Sequence, residues 1–332
     1  MKGVFVLIIL AVLAISGCTQ EGSNMDLQNV DLKLKWVHQA QFAGNYIAKE
    51  KGFYENEGLS VNIIPFTFEK PTIDAVINGE VTFGITGGDE LLLARENGIP
   101  IKAFAVIYKI NPVCAYSLTE NEIKKPQDFI GKTIGLERAA DGTEINIGVL
   151  YAAMMSKLGI NRSLINEVTI GYDATELLAG ETDVSTGYII NEPHQAMEAG
   201  YEVRTILMAD YGVNMYADVL FATEDTINNR PEIVQKFLSA TLDGWQYAIE
   251  NEEDSVNTVL KYATDRTKNH ETYMLRSSIP LIHVANEPLG LMKRSEWINA
   301  QNILLEQGIM NAEVNIEDVF TNKFVEAYYN SQ

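Results

Sequence analysis

The sequence predicts an α/β protein of two lobes, each a doubly wound and mainly parallel sheet, joined by a two-strand hinge. Three observations carry this. Strand-like and helix-like segments alternate over residues 32–108, a second alternating series covers residues 113–207, and from Pro231 onward nearly everything reads as helix. Strands that alternate with helices build parallel sheets covered on both faces. A helical tail after two such units implies a chain that starts one lobe, crosses to a second and returns to finish the first. At 332 residues, 46% of them hydrophobic, the chain is long enough for two domains of roughly 150 residues.

In the first series, strands are expected at residues 32–37, 59–65, 81–85 and 101–108. Helices fall between them at residues 44–57, 71–78 and 89–97, the first two stopped by Gly58 and Gly79. Glycine ends a helix because it adopts the left-handed conformation without a Cβ penalty. The second series has strands at residues 113–118, 133–136, 167–170, 184–188 and 203–207, with helices at 143–157, 174–178 and 192–199. A strand at residues 219–222 precedes the tail, where Pro231 suits a first helical turn and Trp245 and Trp297 lie on apolar faces. The crossings fall near residues 113–118 and 217–222, so residues 31–113 and 222–332 form lobe 1 and residues 114–221 form lobe 2. A cleft then lies at the carboxyl ends of both sheets, where open α/β folds bind ligands, and closure around a ligand is the expected motion.

Lys and Arg total 25 against 45 Asp and Glu, a net charge of −20 that repels nucleic acid and anionic lipid alike. Met1-Lys2 gives a short positive start, residues 4–15 are apolar, and Ile15-Ser16-Gly17-Cys18 follows. That run is shorter than the roughly 20 residues that span a bilayer. It reads as a lipoprotein signal peptide over residues 1–18, leaving Cys18 as a lipid-anchored N-terminus and residues 19–30 as a polar tether. An uncleaved anchor is the alternative, and it puts the body in the same extracytoplasmic compartment. Cys114 is then the single remaining cysteine, read as a small buried hydrophobe, and no intramolecular disulfide can form. His38, His194, His270 and His283 show no paired or HExxH setting and no cysteine cluster, so no metal site is expected. The chain has no GxGxxG, P-loop or GxSxG motif, so no nucleotide cofactor is expected and neither an ATPase nor a dehydrogenase is supported.

Residues 34–63, LKWVHQAQFAGNYIAKEKGFYENEGLSVNI, resemble the opening of type II extracellular solute-binding proteins of ABC importers. The likeness is to the branch that binds thiamine pyrimidine precursors and riboflavin. It continues through residues 79–84 (GEVTFG), 94–100 (ARENGIP) and 128–135 (DFIGKTIG), and through Tyr188-Ile189-Ile190-Asn191-Glu192 to the PEIVQKFLSATLDGWQYAIE segment from Pro231. It implies the periplasmic-binding-protein type II fold and a lipid-anchored, monomeric receptor without chemistry. Such a receptor takes a small planar heterocycle to a membrane permease whose ATPase is a separate chain. A ligand-sensing partner of a membrane kinase would use the same cleft.

The residues supply reasons of their own. Trp36 follows the first strand and offers a flat face for a heterocycle, or packs beneath the sheet. Gln39, Gln41 and Asn45 can read ring nitrogens or carbonyls, and His38 is either a contact or a polar neighbour. Gly88 permits close backbone approach, while Asp89 faces the ligand or caps the next helix. Residues 140–144 open a helix whose free N–H groups suit an anion or a polar ring substituent, although Asp141 and Glu144 disfavour phosphate. Across the cleft, Tyr188 can be a second stacking face. Asn191 and Glu192 adjoin it, and the Glu192 carboxylate can accept from an aminopyrimidine edge or offset a helix dipole. Tyr211, Tyr216 and Asp218 lie near the return crossing; Tyr108, Lys109 and Asn111 lie near the outward one.

A compact site of Trp36, Tyr188 and Glu192 suits a single ring, such as a formylated or hydroxymethyl aminopyrimidine. Riboflavin needs a longer aromatic slot, with Tyr211 or Phe66 as its source. Residues 66–70 (FTFEK) depart from the Gly-rich loop of the family and narrow the pocket. Sulfonate or nitrate asks for cations, and Lys109 and Arg138 are the basic residues near cleft loops. The related hydroxymethylpyrimidine phosphate synthases of yeasts carry a histidine where this chain has Glu90. Their cysteine run falls on residues 211–221, which contain no cysteine, so an enzyme is not expected.

Overall fold

The computed structural model describes residues 27–138, 147–284 and 287–331. The expected signal peptide, Cys18 and residues 140–144 lie outside the described residues. The first sheet takes β1 (Gln28–Lys33), β2 (Leu59–Ile64), β3 (Phe83–Thr86) and β4 (Ile101–Val106). The second takes β5 (Val113–Leu118), β6 (Thr133–Leu136), β7 (Asn166–Thr169), β8 (Val184–Tyr188) and β9 (Val203–Leu207), after which β10 (Val219–Thr223) returns to the first. The orders are β2-β1-β3-β10-β4 and β7-β6-β8-β5-β9. β10 runs antiparallel to β3 and β4, and β5 runs antiparallel to β8 and β9; the other pairings are parallel. The two reversed strands are those by which the chain enters a sheet from the opposite lobe.

β1 begins four residues before the expected strand, inside the expected tether, and pairs with β2 from Gln28↔Leu59 to Lys33↔Ile64. Its first residues are polar and exposed, which hid them from a hydrophobicity reading. The consequence is functional: Lys35 and Trp36 are not strand residues but project past the carboxyl end of the sheet. The helix expected at residues 44–57 is two helices, Ala43–Glu50 and Phe53–Asn56, divided by Gly52 at φ 75°. The long helix Pro231–Glu250 closes over this segment at backbone contact. A Cβ on Gly44 would stand 2.2 Å from Trp245 Cγ, and one on Gly244 would stand 2.2 Å from the Gly44 carbonyl oxygen. Trp245 is buried there with Tyr46, Phe237 and the apolar face of β1.

Residues 107–112 and 208–218 connect the lobes and run side by side. Ile107 N–H donates to Asp218 O at 2.8 Å and Ala217 N–H to Tyr108 O at 3.1 Å. Asn111 Nδ2 donates to Met215 O at 3.1 Å, and its backbone N–H donates to Asn214 Oδ1 at 2.8 Å. The expected boundary at residues 221/222 falls inside β10, because pairing with β3 and β4 already holds Val219 in the first sheet. Among the described residues, no helix is long and apolar enough to cross a membrane.

Candidate ligand-binding site

A cavity of about 440 Å3 opens between the lobes. Its walls come from the carboxyl ends of strands in both sheets: Lys35 and Trp36 beyond β1, Asp89 and Glu90 beyond β3, Glu137 beyond β6, and Tyr188, Asn191 and Glu192 at β8. This is where an open α/β sheet offers a crevice, since strands end there and helices begin.

One side is aromatic. Trp36 stacks on Phe66, with centroids 6.1 Å apart and planes 20° from parallel, and Phe66 meets Phe68 edge-on at 5.2 Å. Tyr172, on the loop after β7 in the other lobe, lies 5.4 Å from Trp36 and 6.3 Å from Phe68. Phe68 is 69% exposed and Tyr172 42%, which is unusual for large rings that only pack. Leu93, Ile147, Val149, Leu304 and Ile309 supply the rest of the apolar wall.

The floor is polar and tied to the hinge. Lys35 Nζ donates to Ala217 O at 2.9 Å and to Tyr188 Oη at 3.4 Å, and stands 3.5 Å from Asp218 Oδ1. Gln41 Nε2 donates to Asp218 Oδ2 at 2.9 Å, and Gln39 Nε2 to Gln41 Oε1 at 2.7 Å. Glu192 begins the helix Glu192–Glu198; its Oε2 accepts from Tyr188 N–H at 2.7 Å and its Oε1 from Asn191 Nδ2. Gly87, not Asp89, is the N-cap of the helix Gly88–Glu96, and Glu90 takes the Gly87 N–H at 3.1 Å; the Asp89 carboxyl accepts from the Asp89 and Glu90 N–H groups of the first turn while lining the cavity.

Burial pushes Glu192 up to about 7, against the N–H donors that favour its charge. Burial, then the charge of Glu192, pushes Glu137 up to about 9. Asp89 is pushed up to about 6 by burial and by Glu90 beside it. Burial works against the Lys35 ammonium, but Tyr188, Asp218, Glu90 and Asp89 outweigh it and hold Lys35 above its ordinary range. Four acids thus face one lysine whose charge Asp218 already answers. Such a wall gives an anion no unanswered cation among its described residues and suits a ligand that hydrogen-bonds with carboxyl groups.

Seven of the expected residues meet here: Trp36, Gln39, Gln41, Asp89, Tyr188, Asn191 and Glu192. The other five fall elsewhere. His38 Nδ1 pairs with Tyr46 Oη at 3.0 Å, and Asn45 Nδ2 donates to Tyr54 Oη at 3.3 Å beneath the first helix. Gly88 N–H donates to Tyr216 O at 2.8 Å, so its missing side chain makes room for the hinge backbone. Tyr216 Oη accepts from Lys293 N–H at 2.8 Å, and its ring is edge-on to Trp297; Tyr211 packs into the hydrophobic cluster of Met208 and Met215. Lys109 and Arg138 are engaged outside the cavity, by Pro288 O at 2.7 Å and Glu167 at 3.2 Å.

Sequence reading missed Lys35, Tyr172 and Glu137, and foresaw the Phe66–Phe68 segment only as a narrowing of the pocket. For Tyr172 the signal was present: an aromatic residue beside Gly171 at the end of an expected strand, on a loop with no core to fill. The histidines also do not stay apart, for His194 and His270 meet with Glu198 at the junction of the lobes.

Two mixed sheets, two paired crossings and a cleft at the strand ends constitute the periplasmic-binding-protein fold. Residues 39–255 match the model of the NMT1/THI5-like family, and the chain belongs to that family. It is 28% identical over 310 residues to the riboflavin-binding protein RibY of Chloroflexus aurantiacus, covering 90% of this chain and 86% of that one. It is 23% identical over 324 residues to the formylaminopyrimidine-binding protein of Halalkalibacterium halodurans, covering 95% and 97%. Among solved structures, the periplasmic aliphatic sulphonate binding protein SsuA of Escherichia coli superposes with a TM-score of 0.70 at 14% identity, covering 90% of this chain and 99% of that one.

Proposed function

We propose that this chain is the substrate-binding component of an ABC importer and that its ligand is a neutral planar heterocycle, riboflavin first. The observation that carries the reading is the aromatic wall of Trp36, Phe66, Phe68 and Tyr172, drawn from both lobes and longer than one ring requires. A cavity of about 440 Å3 lies in the range of roughly 300–1,000 Å3 that holds a drug-sized ligand. The acids on the facing wall suit hydroxyl and ring N–H donors, and they count against sulfonate or nitrate. The riboflavin-binding relative from Chloroflexus aurantiacus supports the same choice.

A second reading is an aminopyrimidine thiamine precursor. Glu192, held by Asn191 and Tyr188 at the cavity wall, favours it as an acceptor for an exocyclic amine. In either case Cys18 carries the lipid anchor outside the membrane, a monomer delivers the ligand to a permease, and a separate ATPase drives transport. No chemistry is proposed: Glu90 stands where the synthases resembling this chain have histidine, and residues 211–221 hold no cysteine.

The test is a titration of the soluble chain from Thr19 onward with riboflavin, following flavin fluorescence and melting temperature. Stacking on Trp36 quenches the flavin, and a ligand bound only by the native state raises the melting temperature by mass action. Quenching at one flavin per chain is expected. A melting shift with hydroxymethyl or formylated aminopyrimidine alone selects the second reading, and one with taurine or nitrate alone overturns both. Retention of a Cys18→Ala variant on membranes would sink the anchor assignment.

A further inference from the structure

Outside the cleft, three potential metal ligands converge where the lobes touch. His194 and Glu198 lie one turn apart on the helix Glu192–Glu198 of the second lobe, and His270 lies on the helix Lys268–Ile282, whose apolar face packs in the core of the first. The separations are 3.3 Å from His194 Nδ1 to His270 Nδ1, 3.3 Å from His270 Nδ1 to Glu198 Oε2, and 3.9 Å from His194 Nδ1 to Glu198 Oε2. Zinc holds nitrogen and oxygen ligands at about 2.0–2.1 Å, so the edges of its tetrahedron measure about 3.3–3.4 Å. Two of the three edges have that length already.

Each ligand is also steadied from behind. His270 Nε2–H donates to Asn191 Oδ1 at 2.9 Å, which leaves the Nδ1 lone pair facing the cluster. Glu198 Oε1 accepts from Asn269 Nδ2 at 3.0 Å and Thr267 Oγ1 at 3.2 Å, which turns Oε2 toward the two imidazoles. The His194 ring lies flat on Tyr273, with centroids 4.1 Å apart and planes at 11°. Glu198 is 30% exposed, so water can reach a fourth position. Arg266 adds positive field at His270, which the Glu198 carboxylate must offset for a cation to enter.

We propose that His194, Glu198 and His270 form a site for one divalent transition metal of the zinc class, pinning the two lobes together. Two imidazoles and one carboxylate select zinc over magnesium and calcium, which prefer all-oxygen shells. Asn191 links the site to the cleft, since it accepts from His270 and donates to Glu192. Metal and cleft ligand therefore bind with coupled affinities.

The experiment is calorimetric titration of the metal-free soluble chain with Zn2+ at neutral pH, with Mg2+ as control and melting temperature as second readout. Its readout is independent of the cleft ligand. One Zn2+ per chain and a raised melting temperature are expected, with no response to Mg2+. Co2+ in place of Zn2+ should give the visible absorption of a four-coordinate site. Glu198→Gln, a change at the partly exposed ligand, should keep the metal-free melting temperature and weaken Zn2+ on the order of 100-fold. His194→Gln is the second variant. No Zn2+ binding by the parent chain, or unchanged affinity in both variants, overturns the site.

Discussion

The ring of Trp36 lies 5.4 Å from that of Tyr172, tilted by 55°, one side chain carried by each lobe. An aromatic pair of this kind contributes about 0.5–1.5 kcal/mol beyond its buried area. A flat ligand entering the cleft takes that contact over from both partners. Tyr172→Ala and Trp36→Ala should each weaken binding by roughly tenfold. Tyr172→Ala should lower the melting temperature only slightly, since the side chain is 42% exposed and its loss removes about one ring pair. Fluorescence titration of the two single variants and the double variant checks this, and strictly additive losses would show that the rings do not share a ligand.

Lys35 and Asp218 should behave as a unit. Lys35→Met leaves a buried carboxylate with only the Gln41 amide for a partner, and removal of one member of a buried pair costs about 3–5 kcal/mol. Adding Asp218→Asn removes the stranded charge and should restore most of the loss. Urea unfolding of both variants decides it; a double variant no better than the single would dismiss the coupling.

Asp89 makes stability fall as pH rises. Its folded-state value, about 6, lies above that of a free carboxyl, so the folded chain holds the proton more tightly than the unfolded one. The contribution is full below about pH 4 and is lost as pH rises through about 6. Asp89→Asn should therefore match the parent near pH 4 and exceed it by roughly 2–3 kcal/mol at pH 8. Melting curves across that range read the difference directly, and a constant offset would exclude Asp89 as its source.

Glu192→Gln is not a silent change. Both carboxylate oxygens accept, from Tyr188 N–H and Asn191 Nδ2, and a glutamine must turn an NH2 group toward one of those donors. The expected cost is about 1–3 kcal/mol of stability besides any loss of ligand. Chemical unfolding without ligand separates the two effects.

The middle of the chain was legible almost to the residue: β5, β6, β8 and β9 stand where hydrophobic pattern placed them, the first three because they are buried on most positions, and β9 because its apolar Val203, Ile206 and Leu207 lie between polar turns. β1 was displaced because its exposed Gln28 and Asn29 look like linker, while the apolar run that follows it continues past the strand to Trp36 at the crevice. The site was readable where a residue sits in a strand-end motif, as with Trp36, Asn191 and Glu192. Where two distant loops must meet, a local signal could mark a residue but not its partner. Tyr172 acquires its meaning from Trp36, which is 136 positions away (172 − 36), and no local pattern encodes that distance.

The paired crossings set the mechanics of the whole molecule. A ribbon of two antiparallel chains flexes across its flat face but resists shear along its length, since shear breaks the bonds from Ile107 to Asp218 and from Ala217 to Tyr108. The halves can then open like the covers of a book and cannot slide past one another. Asp218 belongs to that spine by its backbone and to the cleft by its side chain, so the axis of the page-turn passes through the floor on which the ligand rests. If the proposed importer role holds, a membrane partner that touched both covers would meet a single series of shapes, ordered by one angle, and span alone would report whether the cleft was filled.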